Sequence, residues 1–462
     1  MTPKRNFKPL LFITFLLAGS PARAVPIGIV DSGTDLKHPD LISKAWINPG
    51  NLEGDPFRED THGWNFAGND NQIIDYSYLG KFSPDPTQFF KVQLKIMMGT
   101  ASIEEQEWMT EKRENPQFIH ELQAFGNFVH GTHVAGISAQ GADQAKIMAA
   151  KIIPTEVKNS PSWGLDLLRT SFTLGSITSN GNDQNSVANA LYVALGVLAE
   201  RHAKNLEPVG KYLKTTGMVV ANCSFGTSHK QAQGIVQRLA KRLTDETLSP
   251  SETDKLTAFF MNQILEKGAS FVTSAQHTLF VMAAGNEGSN NDELPTFPAN
   301  LKLENTLTVA ATRNYDRLAS FSSYGAQSVD IAAPGVGIVS DIPGGETLPL
   351  SGTSQAAPFI TNLAGRMMDL NPHLGLQEIK QLLMQTVDKK KFLIGKVLSE
   401  GIANKDRAIL AAKLSRDMSL TDAIARSRQD VKDVPTLLST ESETAAYDGE
   451  PFSLPSTFLN TN

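Results

Sequence analysis

The sequence lacks several features that define whole classes of protein. Only one of its 462 residues is a cysteine, Cys223, so no disulfide within the chain holds the fold. Positive charge is not in excess: 42 Lys and Arg against 48 Asp and Glu give a net charge of −6, which argues against binding to nucleic acid or to an anionic membrane surface. The chain is long, and its 40% of hydrophobic residues are enough to bury a large core.

Long hydrophobic runs are also lacking. The apolar run near the N-terminus covers residues 10–19, about half of the roughly 20 residues that a membrane-spanning helix needs. Three basic residues precede it, and the small-residue signature Ala22-Arg23-Ala24 follows it. This pattern predicts a secretory signal peptide over residues 1–24. We therefore expect a secreted or periplasmic protein, with no stable membrane insertion after the signal has been removed.

Short, largely apolar runs recur along the chain with helix-like stretches between them. The predicted strands cover residues 26–30, 145–153, 217–223, 278–283, 306–311 and 328–331. The predicted helices include residues 186–204, 231–241, 354–370 and 376–387. Strands that are apolar throughout, rather than alternating, indicate a sheet that is covered on both faces. We therefore predict an α/β fold, a doubly wound and mostly parallel sheet flanked by helices.

Two charged stretches and a polar tail interrupt this pattern. Residues 76–126 and 228–276 are helix-prone, and we predict that both are surface insertions, either helical flaps near a cleft or solubilising decoration. Residues 414–462 turn to Ser, Thr, Asp and Glu and are expected to form a mobile tail. Residues 25–413 would then form the main domain. Cys223 lies in an apolar run, where a buried and unreactive thiol is expected.

The segment LSGTSQAAP, residues 350–358, places a serine between a Gly-Thr turn and a small-residue run typical of a buried helix. Ser, Thr and Gly are preferred at helix starts, so Ser354 can be an N-cap. It can also be a nucleophile. That function requires a base elsewhere in the chain, a group that orients the base, and donors for an oxyanion.

Three other segments contain candidate partners for Ser354. Asp31 follows the first apolar run, at the carboxyl end of a predicted strand, where doubly wound sheets bind their ligands. His130 precedes a small-residue helix, and Asn286 ends the apolar run VMAAGN. Simpler functions are open for each: Asp31 and Asn286 can be turn residues, and His130 with His133 can bind a metal ion. The metal alternative lacks the glutamate that a zinc hydrolase would use.

The segments around these residues resemble the motifs of the subtilisin-like serine proteases. DSGTDLKHPDL, HGTHVAG and SGTSQAAP stand in that family's chain order, and NCSFG and AAGNEG fit between them. The resemblance covers residues 25–413 apart from the insertions. It implies that Ser354 is the nucleophile, His130 its base, Asp31 the group that holds the imidazole, and Asn286 an oxyanion donor. It also makes His133 a structural residue.

The resemblance further implies where a substrate would lie. The substrate backbone would add as a strand along one segment, and the first pocket would be lined by that segment and a second one: Ser224, Phe225, Gly226, Ala283, Ala284 and Gly285. Small residues there predict a roomy, apolar and unselective pocket. The implied partners are protein or peptide substrates. The chemistry needs no cofactor, and a structural calcium ion near Asp40 is compatible with the resemblance but is not placed by it.

Two features depart from the pattern of the family. Its secreted members carry a pro-segment, whereas residues 25–30 alone separate the predicted cut from Asp31. We therefore expect a mature chain that begins near Val25 and is active without further N-terminal cleavage. Val129 stands where a small residue usually precedes the catalytic histidine.

The leading hypothesis is a secreted serine endopeptidase that hydrolyses peptide bonds through an acyl-enzyme. The alternative from another class is a catalytically silent binding or scaffolding protein that keeps the subtilisin fold. An esterase or a peptide-ligating transferase with the same triad also stays open, because the acyl-enzyme is common to all three enzymes.

Overall fold

The computed structural model describes residues 24–50, 57, 59–156, 184–244 and 247–435, apart from the side chains of 184–188 and 244. The predicted signal peptide lies outside the described residues except for Ala24. The last part of the predicted tail, residues 436–462, also lies outside them.

A sheet of ten strands forms the middle of the described chain. Its strands are β1 (Val25–Asp31), β2 (Gly63–Asn65), β3 (Ala145–Lys151), β4 (Val220–Cys223), β5 (Leu279–Ala283), β6 (Thr306–Arg313), β7 (Arg317–Leu318), β8 (Ile331–Pro334), β11 (Asp388–Lys389) and β12 (Gly401–Ile402). The order across the sheet is β11-β12-β8-β6-β5-β4-β1-β3-β2, with β7 beside β6. Only the pairs β11 with β12 and β6 with β7 are antiparallel. Two further strands, β9 (Ile338–Ile342) and β10 (Glu346–Leu350), form a separate antiparallel hairpin.

Ten α-helices are present among the described residues. They are α1 (Asp85–Met98), α2 (Ile103–Glu114), α3 (Pro116–Ala139), α4 (Gln184–Thr215), α5 (His229–Thr244), α6 (Pro250–Thr273), α7 (Thr353–Leu370), α8 (Leu376–Gln385), α9 (Lys405–Leu414) and α10 (Leu420–Asp430). Within the part of the chain that is described, none of the helices is both long and apolar enough to cross a membrane.

Helices cover both faces of the sheet. In β4, Val220 belongs to a buried cluster with Ile360 of α7, whereas its neighbour Ala221 belongs to another with Phe260 of α6. Successive residues of a strand point to opposite faces, so each face has its own apolar layer. This arrangement explains why the strands read as apolar throughout, and it confirms the predicted doubly wound, mostly parallel fold.

The second predicted insertion, residues 228–276, is not a surface feature. Helices α5 and α6 bury Val236, Leu239, Phe260, Ile264 and further apolar residues in the same core cluster as β4. The prediction of a surface insertion is therefore wrong for both helices. Their charged residues lie on the solvent-facing side of each helix. Composition alone does not separate this side from the apolar side that faces the core.

The predicted mobile tail is ordered over its first part. Helix α10 buries Ala423 and Ile424. The guanidinium of Arg407, on α9, donates to the Val431 carbonyl at 3.1 and 2.9 Å and to the Asp433 carboxylate at 2.6 Å. The prediction of mobility from residue 414 is thus wrong up to residue 435, because an almost fully buried arginine fixes the chain after α10.

The first insertion, residues 76–126, is helical as predicted and has an apolar core of its own. Phe90 of α1 and Phe118 and Phe125 of α3 are buried in one cluster with Leu348 of β10. Solubilising decoration would not bury aromatic side chains in this way. The insertion therefore packs on the hairpin that leads to Ser354.

Candidate active site

Asp31 is the last residue of β1, a strand in the interior of the sheet with β3 on one side and β4 on the other. Its side chain is fully buried, and its Oδ1 accepts hydrogen bonds from the Ser32 N–H and from Nδ1 of His130, both at 2.7 Å. Because a carboxylate only accepts, Nδ1 of His130 carries the proton. Nε2 of a neutral imidazole is then left with its lone pair, as a general base requires.

His130 lies inside α3, a 24-residue helix that begins with Pro116 and is capped by Asn115. The glycine after it has a physical reason: a Cβ on Gly131 would lie 2.2 Å from the carbonyl oxygen of Gly33. The Gly131 N–H also donates to Ser32 Oγ at 3.3 Å. The HGTH motif therefore lets α3 approach the loop after Asp31 closely enough for the two side chains to pair.

Ser354 is the second residue of α7. The N-cap is Gly352, so the interpretation of Ser354 as a cap is wrong. Its hydroxyl donates to the Ser224 carbonyl at 3.2 Å, and the Ser224 hydroxyl donates to the Ser354 carbonyl at 3.1 Å. Among the described residues no hydrogen bond joins Ser354 to His130, so the serine side chain has to turn before a proton can pass between them.

Asn286 lies three residues beyond the end of β5, and its side chain is held in one orientation by Thr353. Its Oδ1 accepts from the N–H and from the hydroxyl of Thr353, both at 2.9 Å. The Thr353 hydroxyl in turn accepts from the Gly285 N–H at 3.1 Å. Sequence reasoning missed Thr353. The signal that could have indicated it is its place directly before Ser354 in SGTS.

The sequence model of the subtilase family matches residues 22–402 of this chain. The chain belongs to the subtilase family. It is 43% identical over 112 residues to the thermophilic serine proteinase of Bacillus sp. (strain AK1), which is 24% of this chain and 26% of that protein. It is 28% identical over 268 residues to the cell wall-associated protease of Bacillus subtilis (strain 168), 57% of this chain and 22% of that protein. The chain thus matches only about a quarter of the length of these relatives.

Solved structures are similar as well. The A-subunit of the AB5 toxin from E. coli matches with a TM-score of 0.45 and 18% identity, over 84% of this chain and 92% of that one. A cold-adapted subtilisin-like serine proteinase matches with a TM-score of 0.40 and 17% identity, over 87% of this chain and 92% of that one.

The cleft of this subtilase beside Ser354 has a volume of about 400 Å³, including the space open to solvent. Five of the six residues predicted to bind substrate line it: Ser224, Phe225, Gly226, Ala283 and Gly285. The sixth, Ala284, is fully buried, and its carbonyl accepts from Asn291 Nδ2 at 2.8 Å.

The lining of the cleft is more polar than the sequence predicted. Gln231, Glu287 and Thr296 contribute to it from outside the predicted segments. The Glu287 carboxylate accepts from the backbone N–H of Asn286 at 2.9 Å, which brings a negative charge to the wall. The wall thus combines the predicted small and apolar residues with polar ones, because the loop after Asn286 and the start of α5 complete it.

His133 has a structural position, as predicted. Its Nε2 lies 3.0 and 2.9 Å from the carbonyl oxygens of Ile338 and Leu348, one on each strand of the β9–β10 hairpin. Burial lowers the pKa of His133 to about 3, so the ring is neutral and Nε2 carries the donated proton. One imidazole of α3 therefore pairs with Asp31, and the next fixes the hairpin ahead of Ser354.

Two other titratable groups near the end of β1 are buried. Cys223 is fully buried, as predicted, and burial raises the pKa of its thiol, which disfavours the reactive thiolate. Lys151, the last residue of β3, stands beside Asp31 in the parallel register of β1 and β3. Burial lowers the pKa of its ammonium group to about 8, against the attraction of Asp75 and Asp70.

Proposed function

We propose that this subtilase is a secreted or periplasmic serine endopeptidase with Ser354 as nucleophile, His130 as general base and acid, and Asp31 as the residue that orients the imidazole. The observation that carries the proposal is the 2.7 Å bond from His130 Nδ1 to the buried Asp31 carboxylate. That bond leaves Nε2 as the basic atom of the ring. The predicted signal peptide supports export.

The reaction would proceed in two acyl-transfer steps. Ser354 Oγ forms a bond to the scissile carbonyl carbon while its proton passes to His130 Nε2. The imidazolium then protonates the leaving amine as the C–N bond breaks, and an acyl-enzyme remains. A water molecule, with His130 again as base and then as acid, attacks the acyl-enzyme carbonyl carbon, and the carboxylic acid is released as the bond to Ser354 Oγ breaks. Asp31 stabilises the imidazolium in both steps without taking its proton.

Substrate binding would free the nucleophile. The Ser354 hydroxyl now donates to the Ser224 carbonyl. A substrate that adds as a strand beside Ser224, Phe225 and Gly226 presents its own backbone N–H to that carbonyl. The hydroxyl would then lose its acceptor inside the cleft and turn to His130. Activation of Ser354 would thereby be coupled to occupation of the cleft.

The developing oxyanion would receive two donors. Asn286 offers its amide, whose oxygen is held by Thr353, so the amide nitrogen needs no reorientation during the reaction. The backbone N–H of Ser354 lies in the first turn of α7, where N–H groups have no partner within the helix. The positive end of the helix dipole acts at the same place.

The silent scaffold and the esterase or ligase remain as competing functions. A scaffold would have no need of an oriented imidazole, a hydroxyl and a fixed amide at one end of the sheet, although a fold alone does not establish activity. An esterase or a ligase would use the same acyl-enzyme and would differ in the group that attacks it. The polar wall with Glu287, Gln231 and Thr296 is consistent with recognition of a peptide rather than an apolar ester.

The experiment compares the unaltered chain with Ser354→Ala, His130→Ala and the matched control Ser351→Ala on unfolded casein and on defined peptides. We expect peptide cleavage, identified by mass spectrometry, that the first two variants lose by several orders of magnitude and the control retains. Circular dichroism verifies that each variant is folded. No cleavage by the folded, unaltered chain would favour the scaffold. Peptide ligation that outweighs hydrolysis in the presence of an added amine would favour the transferase.

A further inference from the structure

A mixed cluster of possible metal ligands lies outside the candidate active site. Donor atoms of His38, Asp40 and Asp341 all lie within 4.8 Å of one another. His38 and Asp40 belong to the loop that follows Asp31, and Asp341 belongs to β9. His38 is 3% exposed and Asp341 is 7% exposed, whereas Asp40 is exposed to solvent.

The hydrogen bonds of His38 place Nδ1, the ring nitrogen without a proton, on the side of the cluster. Nε2 lies 3.2 Å from the carbonyl oxygen of Glu346, which only accepts, so Nε2 carries a proton. The Asp40 N–H donates to Nδ1 at 3.2 Å, so Nδ1 carries no proton, and a metal ion on Nδ1 would replace this hydrogen bond. Asp341 Oδ2 lies 3.6 Å from the same Nδ1. A ring nitrogen fixed by a carbonyl on its other nitrogen is the usual arrangement of a histidine that binds a metal.

The Asp341 carboxylate lacks a neutral donor. Among the described residues no backbone N–H, hydroxyl or amide donates to it, and a carboxylate oxygen of Asp40 lies within 4.8 Å. No ion pair joins Asp341 to Lys44, although both line the same cavity. Lys44 is held away, because its Nζ donates to the Ala139 carbonyl at 2.5 Å. A cation bound between the two carboxylates would compensate the cost of burying the charge of Asp341.

We propose that His38, Asp40 and Asp341 bind a divalent transition-metal ion of the Zn²⁺ type. Zn²⁺ binds imidazole nitrogen and carboxylate oxygen at about 2.0–2.2 Å, so two tetrahedral ligands lie about 3.4 Å apart. The 3.6 Å between His38 Nδ1 and Asp341 Oδ2 needs little adjustment. The exposed Asp40 side chain is able to rotate into place, and a cavity of about 800 Å³ that Asp40 and Asp341 line gives the ion access.

Calcium does not fit this donor set. It takes six to eight oxygen ligands, whereas the cluster offers two carboxylates and an imidazole nitrogen. The calcium ion that the family resemblance allows near Asp40 is therefore not the ion that these residues select.

The proposed site would join two segments that serve the candidate active site. One follows Asp31, and the other, β9, is half of the hairpin whose second strand ends four residues before Ser354. Gly136 of α3 allows this approach, since a Cβ there would lie 2.7 Å from Asp341 Oδ2. Metal binding would therefore stabilise the hairpin independently of catalysis.

The test uses the full chain as Ser354→Ala, free of a histidine tag, with Co²⁺, Zn²⁺ and Ca²⁺ as separate probes. Because Ser354→Ala has no nucleophile, the result does not depend on the proposed peptidase activity. We expect one equivalent of Co²⁺ to give visible d–d absorption, Zn²⁺ to displace it and to raise the melting temperature, and Ca²⁺ to do neither at equal concentration.

Asp341→Asn and Asp40→Asn should each weaken Co²⁺ binding at least tenfold, while Asp417→Asn, the same change at an exposed carboxylate, should leave it unchanged. Asp40 is exposed, so its variant remains informative even where Asp341→Asn impairs folding. The proposal is overturned if Co²⁺ gives no 1:1 spectrum, if both cluster variants bind like the control, or if Ca²⁺ binds more tightly than Zn²⁺.

Discussion

Replacing Asn286 by alanine removes a donor that Thr353 holds in a fixed orientation. The side chain is 5% exposed, and its Oδ1 accepts two hydrogen bonds of 2.9 Å. Water therefore has little room to take over the function of the amide. Loss of such a donor costs about 2.7–4 kcal/mol of transition-state stabilisation, a figure measured on a subtilisin. We expect kcat to fall by about 10² to 10³ with KM nearly unchanged, because the donor acts on the oxyanion and not on the bound substrate.

A graded pair of variants at Thr353 tests whether orientation is the cause. Thr353→Val removes one of the two hydrogen bonds to Asn286, worth about 0.5–1.5 kcal/mol net, which corresponds to a loss of about 2- to 13-fold in kcat. Thr353→Ser retains the hydroxyl and should stay close to the unaltered chain. The assay is steady-state kinetics on a peptide substrate, corrected by active-site titration. An Asn286→Ala variant that changes KM alone would refute the reasoning, as would a Thr353→Ser variant as impaired as Thr353→Val.

Two further predictions concern stability. His202 is fully buried against Phe297, and burial lowers its pKa to about 3, whereas a histidine in the unfolded chain titrates near 6.5. The unfolded state then binds more protons at this residue, so as the pH falls from about 6 to about 3 His202 alone should remove up to about 1.4 kcal/mol of stability per pH unit. Buried His133 contributes over the same range, so His202→Leu should reduce the slope measured by urea unfolding without abolishing it; equal slopes would contradict this. Phe90→Ala should lower the free energy of unfolding by about 3–5 kcal/mol, because it opens a cavity in the core of the first insertion. The control Ile103→Ala, at an exposed site, should lower it by less than about 0.5 kcal/mol. Equal urea midpoints for the two variants would show that this core contributes nothing to stability.

Much of the sheet and the candidate site could be predicted because the signals are local. β1 is a run of mostly buried residues that ends at Asp31. Its assignment as a strand and the position of its carboxyl end both follow from this seven-residue segment. Helix α7 starts one residue before the predicted position and ends at the predicted one. Small residues at Gly131 and Gly285 mark places where backbone must approach backbone or take a positive φ.

The features that could not be predicted depend on contacts between distant parts of the chain. Helix α4 continues to Thr215 through Pro208, where local rules end a helix, because α6 packs along its side. The β9–β10 hairpin is held by His133, more than 200 residues earlier, and no periodicity shows that pairing. The cluster of Asp341 with His38 likewise exists only after folding.

The account depends most directly on Ser354 as an activated nucleophile. A fluorophosphonate probe reacts covalently with such a serine, and mass spectrometry of the digested protein locates the adduct. We predict one equivalent of label on Ser354, which is lost in Ser354→Ala and strongly slowed in His130→Ala, while the control Ser351→Ala labels normally. Absence of labelling in the folded, unaltered chain, or a label on another residue, would contradict the assignment of the site.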